Sequence, residues 1–170
     1  SYDLTNKRVA IIGTGASAIQ IIPNIAPIVG QLNVFQRTPA WVMPRRNRAI
    51  GSFQQTLFRH IPIAQKTLRE VIYWIRELFG LGFVGNKLIN KLLERAVLKQ
   101  ITKEVQNPQT QAKLIPNYQI GCKRILVADD FYPTFNRPNV DLITDSIDHI
   151  TENGICTKNG THYPADVIIF

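Results

Sequence analysis

Gly13, Gly15 and Ala18 stand at Gly-x-Gly-x-x-Ala spacing directly after the apolar run Val9-Ala10-Ile11-Ile12. In that setting each small residue has its own task. Gly13 permits a tight strand-to-helix turn, and Gly15 lets the backbone approach a pyrophosphate with no Cβ in the way. Ala18 lets the helix pack closely on the strand. The start of the helix then offers N–H groups and a positive dipole end to phosphates. Gly13, Thr14, Gly15, Ala16, Ser17 and Ala18 are therefore candidate cofactor-binding residues. The end of the next strand discriminates between dinucleotides. An NAD-binding site carries Asp or Glu about 20 residues on, to hold the ribose 2′-hydroxyl. Here that position reads Phe35-Gln36-Arg37-Thr38, without a carboxylate, and Arg37 lies 22 residues after Gly15. A guanidinium suits a 2′-phosphate bidentately and Thr38 adds a hydroxyl donor, so the residues favour NADPH over NADH.

The elements that must position these residues follow from the hydrophobic pattern. Lys7 to Ile12 reads as a strand, and its uniform apolarity fits a parallel sheet covered on both faces. A helix is expected from about Ser17 to Val29, kinked or split at Pro23 and stopped by Gly30. Leu32 to Phe35 is the second strand, and residues 37 to 51, rich in Pro and Arg, read as a loop. Leu68, Val71, Ile72, Ile75, Leu78 and Phe79 then recur at helical spacing, ended by the Gly80, Gly82 and Gly85 cluster. Ile89, Leu92, Leu93, Ala96, Val97, Ile101 and Val105 mark a second long helix that ends before Pro108. Both stripes are expected to face a core. From Ile125 strands resume at Ile125–Val127 and Val140–Ile143. A hairpin is expected across Glu152-Asn153-Gly154, then strands near His162 and over Val167–Phe170. The pattern is that of an α/β, doubly wound, Rossmann-like dinucleotide-binding domain with a helical insertion at about 50–110.

A chain of 170 residues is about one domain, and 45% hydrophobic with 19% charged residues is ordinary for a globular protein. Cys122, Cys156 and the scattered His60, His149 and His162 have no metal-ligand or disulfide spacing, so no metal is expected. The net charge of +8 is local: 13 of the 20 Lys and Arg, but 4 of the 12 Asp and Glu, fall between Arg37 and Glu104. No nucleic-acid-binding motif accompanies it, and no nucleic-acid partner is expected. A solvated helical face is the plain reading, and a surface for an acidic domain or an anionic cofactor is the other. Val9 to Gln36 lacks charge and could be mistaken for a membrane span, but Gly13, Gly15, Pro23, Pro27 and Gly30 interrupt it. The opening Ser1-Tyr2-Asp3-Leu4 has no signal-peptide character, which favours a cytoplasmic location. Val167-Ile168-Ile169-Phe170 reads as a buried strand that stops at the last residue, as in a piece of a longer protein.

The stretch Lys7 to Ala18, followed by Val34-Phe35-Gln36-Arg37-Thr38-Pro39-Ala40-Trp41, resembles the second nucleotide-binding fingerprint of Baeyer–Villiger monooxygenases. Gly121-Cys122-Lys123-Arg124 and Tyr132-Pro133-x-Phe135-Asn136-Arg137-Pro138-Asn139-Val140 resemble a later segment of the same family. The helical middle carries no such motif. The resemblance implies a flavoprotein in which NADPH reduces FAD, and O2 and a ketone or aldehyde then give an ester or lactone. It assigns Lys123 to the 2′-phosphate. Arg124 it makes the catalytic residue that stabilises the anion formed when reduced flavin meets O2, although by residue type alone the two are an ordinary basic pair. The family's first strand-turn-helix Gly-x-Gly-x-x-Gly unit for FAD, its Phe-x-Gly-x-x-x-His-x-x-x-Trp signature and its Ala-Thr-Gly motif are absent from this sequence, since Gly80, Gly82 and Gly85 follow a helical stripe and not a strand. The FAD domain is therefore expected to lie outside this chain, and the chain alone is expected to be inactive. An N- or S-oxygenating flavin monooxygenase and a flavin-free NADP-binding module are the rival readings.

Overall fold

The computed structural model describes residues 2–45, 47, 49–83 and 87–170. In chain order the elements open with β1 (Arg8–Ile12), α1 (Ala18–Ile25), β2 (Gln31–Phe35) and β3 (Val42–Met43). Four helices follow: α2 (Ser52–His60), α3 (Pro62–Phe83), α4 (Lys87–Glu104) and α5 (Pro108–Leu114). Then come β4 (Leu126–Val127), α6 (Phe131–Thr134), β5 (Val140–Ile143), β6 (Ile147–Thr151), β7 (Gly154–Thr157), β8 (His162–Pro164) and β9 (Val167–Ile169).

The fold is mixed α/β around a four-stranded, all-parallel sheet of order β5-β2-β1-β9. Strand alternation divides its side chains between two layers. Val9 and Ile11, Leu32 and Val34, and Val140 and Leu142 join a core with Ile19, Ile22 and Ala26 of α1, Val97 and Ile101 of α4, and Phe131 and Tyr132 of α6. Ala10, Phe35 and Ile143 face the other way and meet Ile155 and Ala165. That second cover is the antiparallel sheet β6-β7-β8, with Phe35 packed edge-on against Tyr163 at 5.4 Å between ring centroids. A doubly wound sheet has helices on both faces; among the described residues helices cover one face and a three-stranded sheet the other. Apolar β-strands and helices satisfy the same burial requirement, so composition alone does not distinguish the two covers. At the edge of the sheet Arg8 and Asp166 pair, and the backbone N–H of Arg8 donates to Asp166 Oδ2 at 2.8 Å. These hydrogen bonds hold the Asp166 carboxyl down at about 2.

Several expectations are corrected. The first helix ends at Ile25 and runs through Pro23, a loss of one donor that an eight-residue helix with a buried face sustains. Gly80 and Gly82 lie inside α3 and do not end it, since a glycine in a helix costs only about 1 kcal/mol. Gly85 lies outside the described residues. The segment 37–51 contains β3, paired in parallel with β4. The Leu68, Val71, Ile72 and Ile75 stripe does not enter the core: these residues are 38–48% exposed. Leu93, Val97 and Ile101 of α4 are buried in the core cluster that includes the sheet, whereas α3 lies against α2 and α4. No described helix is long and apolar enough to cross a membrane.

The β6–β7 turn carries the tightest steric demand. Gly154 has φ +155°, and a Cβ there would lie 2.2 Å from the Tyr163 carbonyl oxygen across the β7–β8 pair. Gly154→Ala is therefore expected to destabilise the chain by roughly 1–3 kcal/mol, through strand separation and backbone strain. Urea unfolding measures this directly, and a midpoint equal to wild type would show that the turn relaxes freely.

Candidate functional site

The Gly-x-Gly turn is built as its residues require. Gly13 has φ +103°, a conformation that L side chains rarely adopt, and its N–H extends the ladder by donating to Phe35 O at 2.8 Å. Gly15 has no such backbone demand, and a Cβ at Gly15 would meet nothing within 4 Å. Nothing inside the fold requires glycine at that position. A ligand pressed against the turn would. The helix that follows has no side-chain cap at Ser17 and no acidic residue in its first turn, so its N-terminal N–H groups and dipole suit an anion. Thr14 is turned inward: its hydroxyl donates to Gln36 Oε1 at 3.3 Å, and Gln36 Nε2 donates to Lys113 O at 2.8 Å. This chain of bonds fixes the turn against the end of β2. Ala16 and Ser17 are exposed and Ala18 is half-buried against the core.

In a parallel sheet, ligands bind beyond the carboxyl ends of the strands, where the strand order reverses. Here the reversal is at β1, which has β2 on one side and β9 on the other. A cleft of about 490 Å³ opens at the carboxyl ends of β1, β2 and β5, and Gly13, Gln36, Arg37, Asp145, Ser146 and Lys158 are among its walls. The structure thus brings Gly13 and Arg37 together, from positions 24 residues apart in the chain. Thr38 follows Arg37 and is half-buried. Asp145, Ser146 and Lys158 are additions that sequence reasoning missed, because each lies in an ordinary turn between short strands.

Lys123 and Arg124 are exposed and line a different recess, with Gly121 and Ile125. The Lys123 ammonium lies 4.7 Å from the centroid of the Tyr118 ring, a cation–π contact. Tyr118 in turn ties this segment to the one after Arg37. Its hydroxyl donates to Pro39 O at 3.0 Å, Trp41 Nε1 donates to Tyr118 O at 2.9 Å, and the two rings pack edge to face. Leu126 N donates to Trp41 O at 2.9 Å, which closes the β3–β4 pair. Trp41 is therefore a buried anchor that fixes the Lys123-Arg124 segment to the strand end bearing Arg37. Asn136 and Asn139 are anchors of the same kind. Asn136 bridges Glu104 O and the Gln106 N–H, and Asn139 Nδ2 donates to Ala26 O and Val29 O beyond α1. Among the described residues no group of three His, Cys, Asp or Glu side chains is placed to hold a metal ion.

Fold and site together define an α/β protein with a glycine turn and a cationic cleft at the carboxyl edge of a parallel sheet. Comparison with known proteins names the relatives. The chain is 43% identical over 169 residues to a Baeyer–Villiger monooxygenase of Pseudomonas aeruginosa, and 42% identical over 169 residues to one of Streptomyces coelicolor. It is matched over 99% of its own length in both cases, and spans about a third of theirs: 32% and 33%. Among solved structures it superposes on OTEMO in complex with FAD and NADP with a TM-score of 0.78 at 32% identity, covering 98% of this chain and 38% of that one. It superposes on an oxidized steroid monooxygenase bound to NADP with a TM-score of 0.81 at 26% identity, covering 99% and 39%. No protein-family model matches the sequence. The chain is thus a homologue of Baeyer–Villiger monooxygenases over about a third of their length.

Proposed function

We propose that this chain is the NADPH-binding region of an FAD-dependent Baeyer–Villiger monooxygenase, a Rossmann-like domain with helices inserted over about 50–110. The observation that carries the reading is the convergence of the Gly13–Gly15 turn and Arg37 on one cleft at the carboxyl ends of the strands. The NADP and FAD named with the solved relatives support it. Gly13 to Ala18 would hold the pyrophosphate on the start of α1, and Arg37 and Thr38 the 2′-phosphate, with Lys123 assisting. FAD would be bound mainly outside this chain, in which the Gly13–Gly15 turn follows a strand while Gly80 and Gly82 lie inside α3. The substrate would be a ketone or aldehyde. One atom of O2 is inserted next to the carbonyl to give an ester or lactone, the other leaves as water, and NADPH supplies the two electrons. When bound, the nicotinamide supplies hydride and the flavin supplies oxygen activation. Arg124 supplies a fixed cation where negative charge develops, which in a site screened from water lowers a barrier by several kcal/mol. The names borne by relatives at 42–43% identity favour this over N- or S-oxygenation.

Calorimetric titration of the chain with NADP⁺ and NAD⁺ tests the nucleotide half. NADP⁺ is expected to bind roughly tenfold more tightly or better, because a hydrogen bond to a charged group contributes about 1.5–3 kcal/mol. Equal affinities, or none, would overturn the reading.

A further inference from the structure

Arg37 is not the only cation in the cleft. We propose that Lys158, in the turn between β7 and β8, is a second residue for the 2′-phosphate, so that the three-stranded sheet takes part in cofactor choice. The proposal rests on the NADPH reading and deepens it.

Lys158 borders the same cleft as Gly13 and Arg37, although it lies 121 residues beyond Arg37 in the chain. Its backbone is held in place. Lys158 N donates to Ser146 O at 2.9 Å, which ties the turn to the segment after β5. Within the turn, Asn159 Oδ1 accepts from Thr157 Oγ1 at 2.7 Å and from Thr161 N at 3.0 Å. Thr157 itself is 2% exposed. The Lys158 side chain therefore projects from a rigid base. Among the described residues no carboxylate forms an ion pair with it.

Charge explains why a second cation is needed. Asp145 also borders the cleft, and its carboxylate opposes a phosphate that carries nearly two negative charges at neutral pH. Arg37 by itself would only neutralise Asp145. With Lys158 the charged lining becomes net positive, and a lysine on its four-carbon stem acts as a mobile point charge that follows the phosphate. Lys123, the other cation linked to this role, rests on Tyr118 beside a different recess. The β7–β8 turn thus supplies a charge that the β1–α1 and β2 motif does not contain.

The test uses this chain, with 2′,5′-ADP and 5′-AMP as calorimetric probes that differ only in the 2′-phosphate. Lys158→Ala is expected to weaken 2′,5′-ADP roughly five- to twentyfold and to leave 5′-AMP within about twofold. Lys158→Arg is expected to restore most of the loss, and the wild-type preference should shrink as salt is raised. An unchanged 2′,5′-ADP affinity in Lys158→Ala, while Arg37→Ala still weakens it, would overturn the role of Lys158 and leave the NADPH reading intact. A wild-type chain that binds both probes equally would overturn the two together. A loss of equal size for both probes would make Lys158 a structural residue and likewise overturn the proposal.

Discussion

Replacement of Arg124 by alanine in the full-length, flavin-loaded enzyme is expected to abolish ester formation while NADPH consumption continues. The electrons delivered by NADPH should leave as hydrogen peroxide. A preorganised charge aimed at a developing anion typically contributes two to three orders of magnitude in rate, and no other described cation borders the same recess except Lys123. The neighbour provides the internal control. Lys123→Ala should raise KM for NADPH and leave NADH use and flavin reduction at saturating NADPH nearly unchanged, because its interaction is equal in ground and transition states. Loss of the Tyr118 contact alone would lower stability in Lys123→Ala without that kinetic split. Stopped-flow spectra with peroxide detection separate these results. An Arg124→Ala enzyme that forms ester at the wild-type rate would remove Arg124 from the chemistry.

In the full-length enzyme, Arg37→Asp is expected to invert cofactor preference from NADPH towards NADH. The substitution removes a charge-assisted pair with the 2′-phosphate, about 1.5–3 kcal/mol, and places a second carboxylate in the cleft with Asp145. The combined loss corresponds to at least a tenfold fall in kcat/KM for NADPH, whereas the new carboxylate can accept from the ribose 2′-hydroxyl of NADH. Arg37 is exposed, so its replacement should leave the core and the thermal midpoint close to wild type. Steady-state kinetics with both cofactors measures the inversion. An unchanged ratio would make Arg37 a solvated surface charge and leave Lys158 as the main cation of the cleft.

The parts of this protein legible from the amino-acid sequence are those set by neighbours along the chain. The strand Arg8–Ile12, the glycine turn and the start of α1 follow from an apolar run meeting Gly13, whose positive φ the structure realises. Val140–Ile143 and Gly154–Thr157 were recognisable as strands from the turn residues that flank them. Arg37 was recognisable because the distance from a glycine turn to the next strand end varies little in such units. Two-residue strands such as β3 and β4 leave no periodicity to read, since their existence depends on pairing across 84 positions between Val42 and Leu126. The stripe on α3 was legible as a helix but not as an exposed one, because a stripe records an apolar face and not what covers it. Tertiary structure alone decided that the α4 stripe joins the core, that strands and not helices cover the opposite face, and that Lys158 stands with Arg37. Each of these is a choice among distant partners of similar chemistry. Burial and charge are satisfied by any residue of the right type, and only the packed chain selects which one arrives.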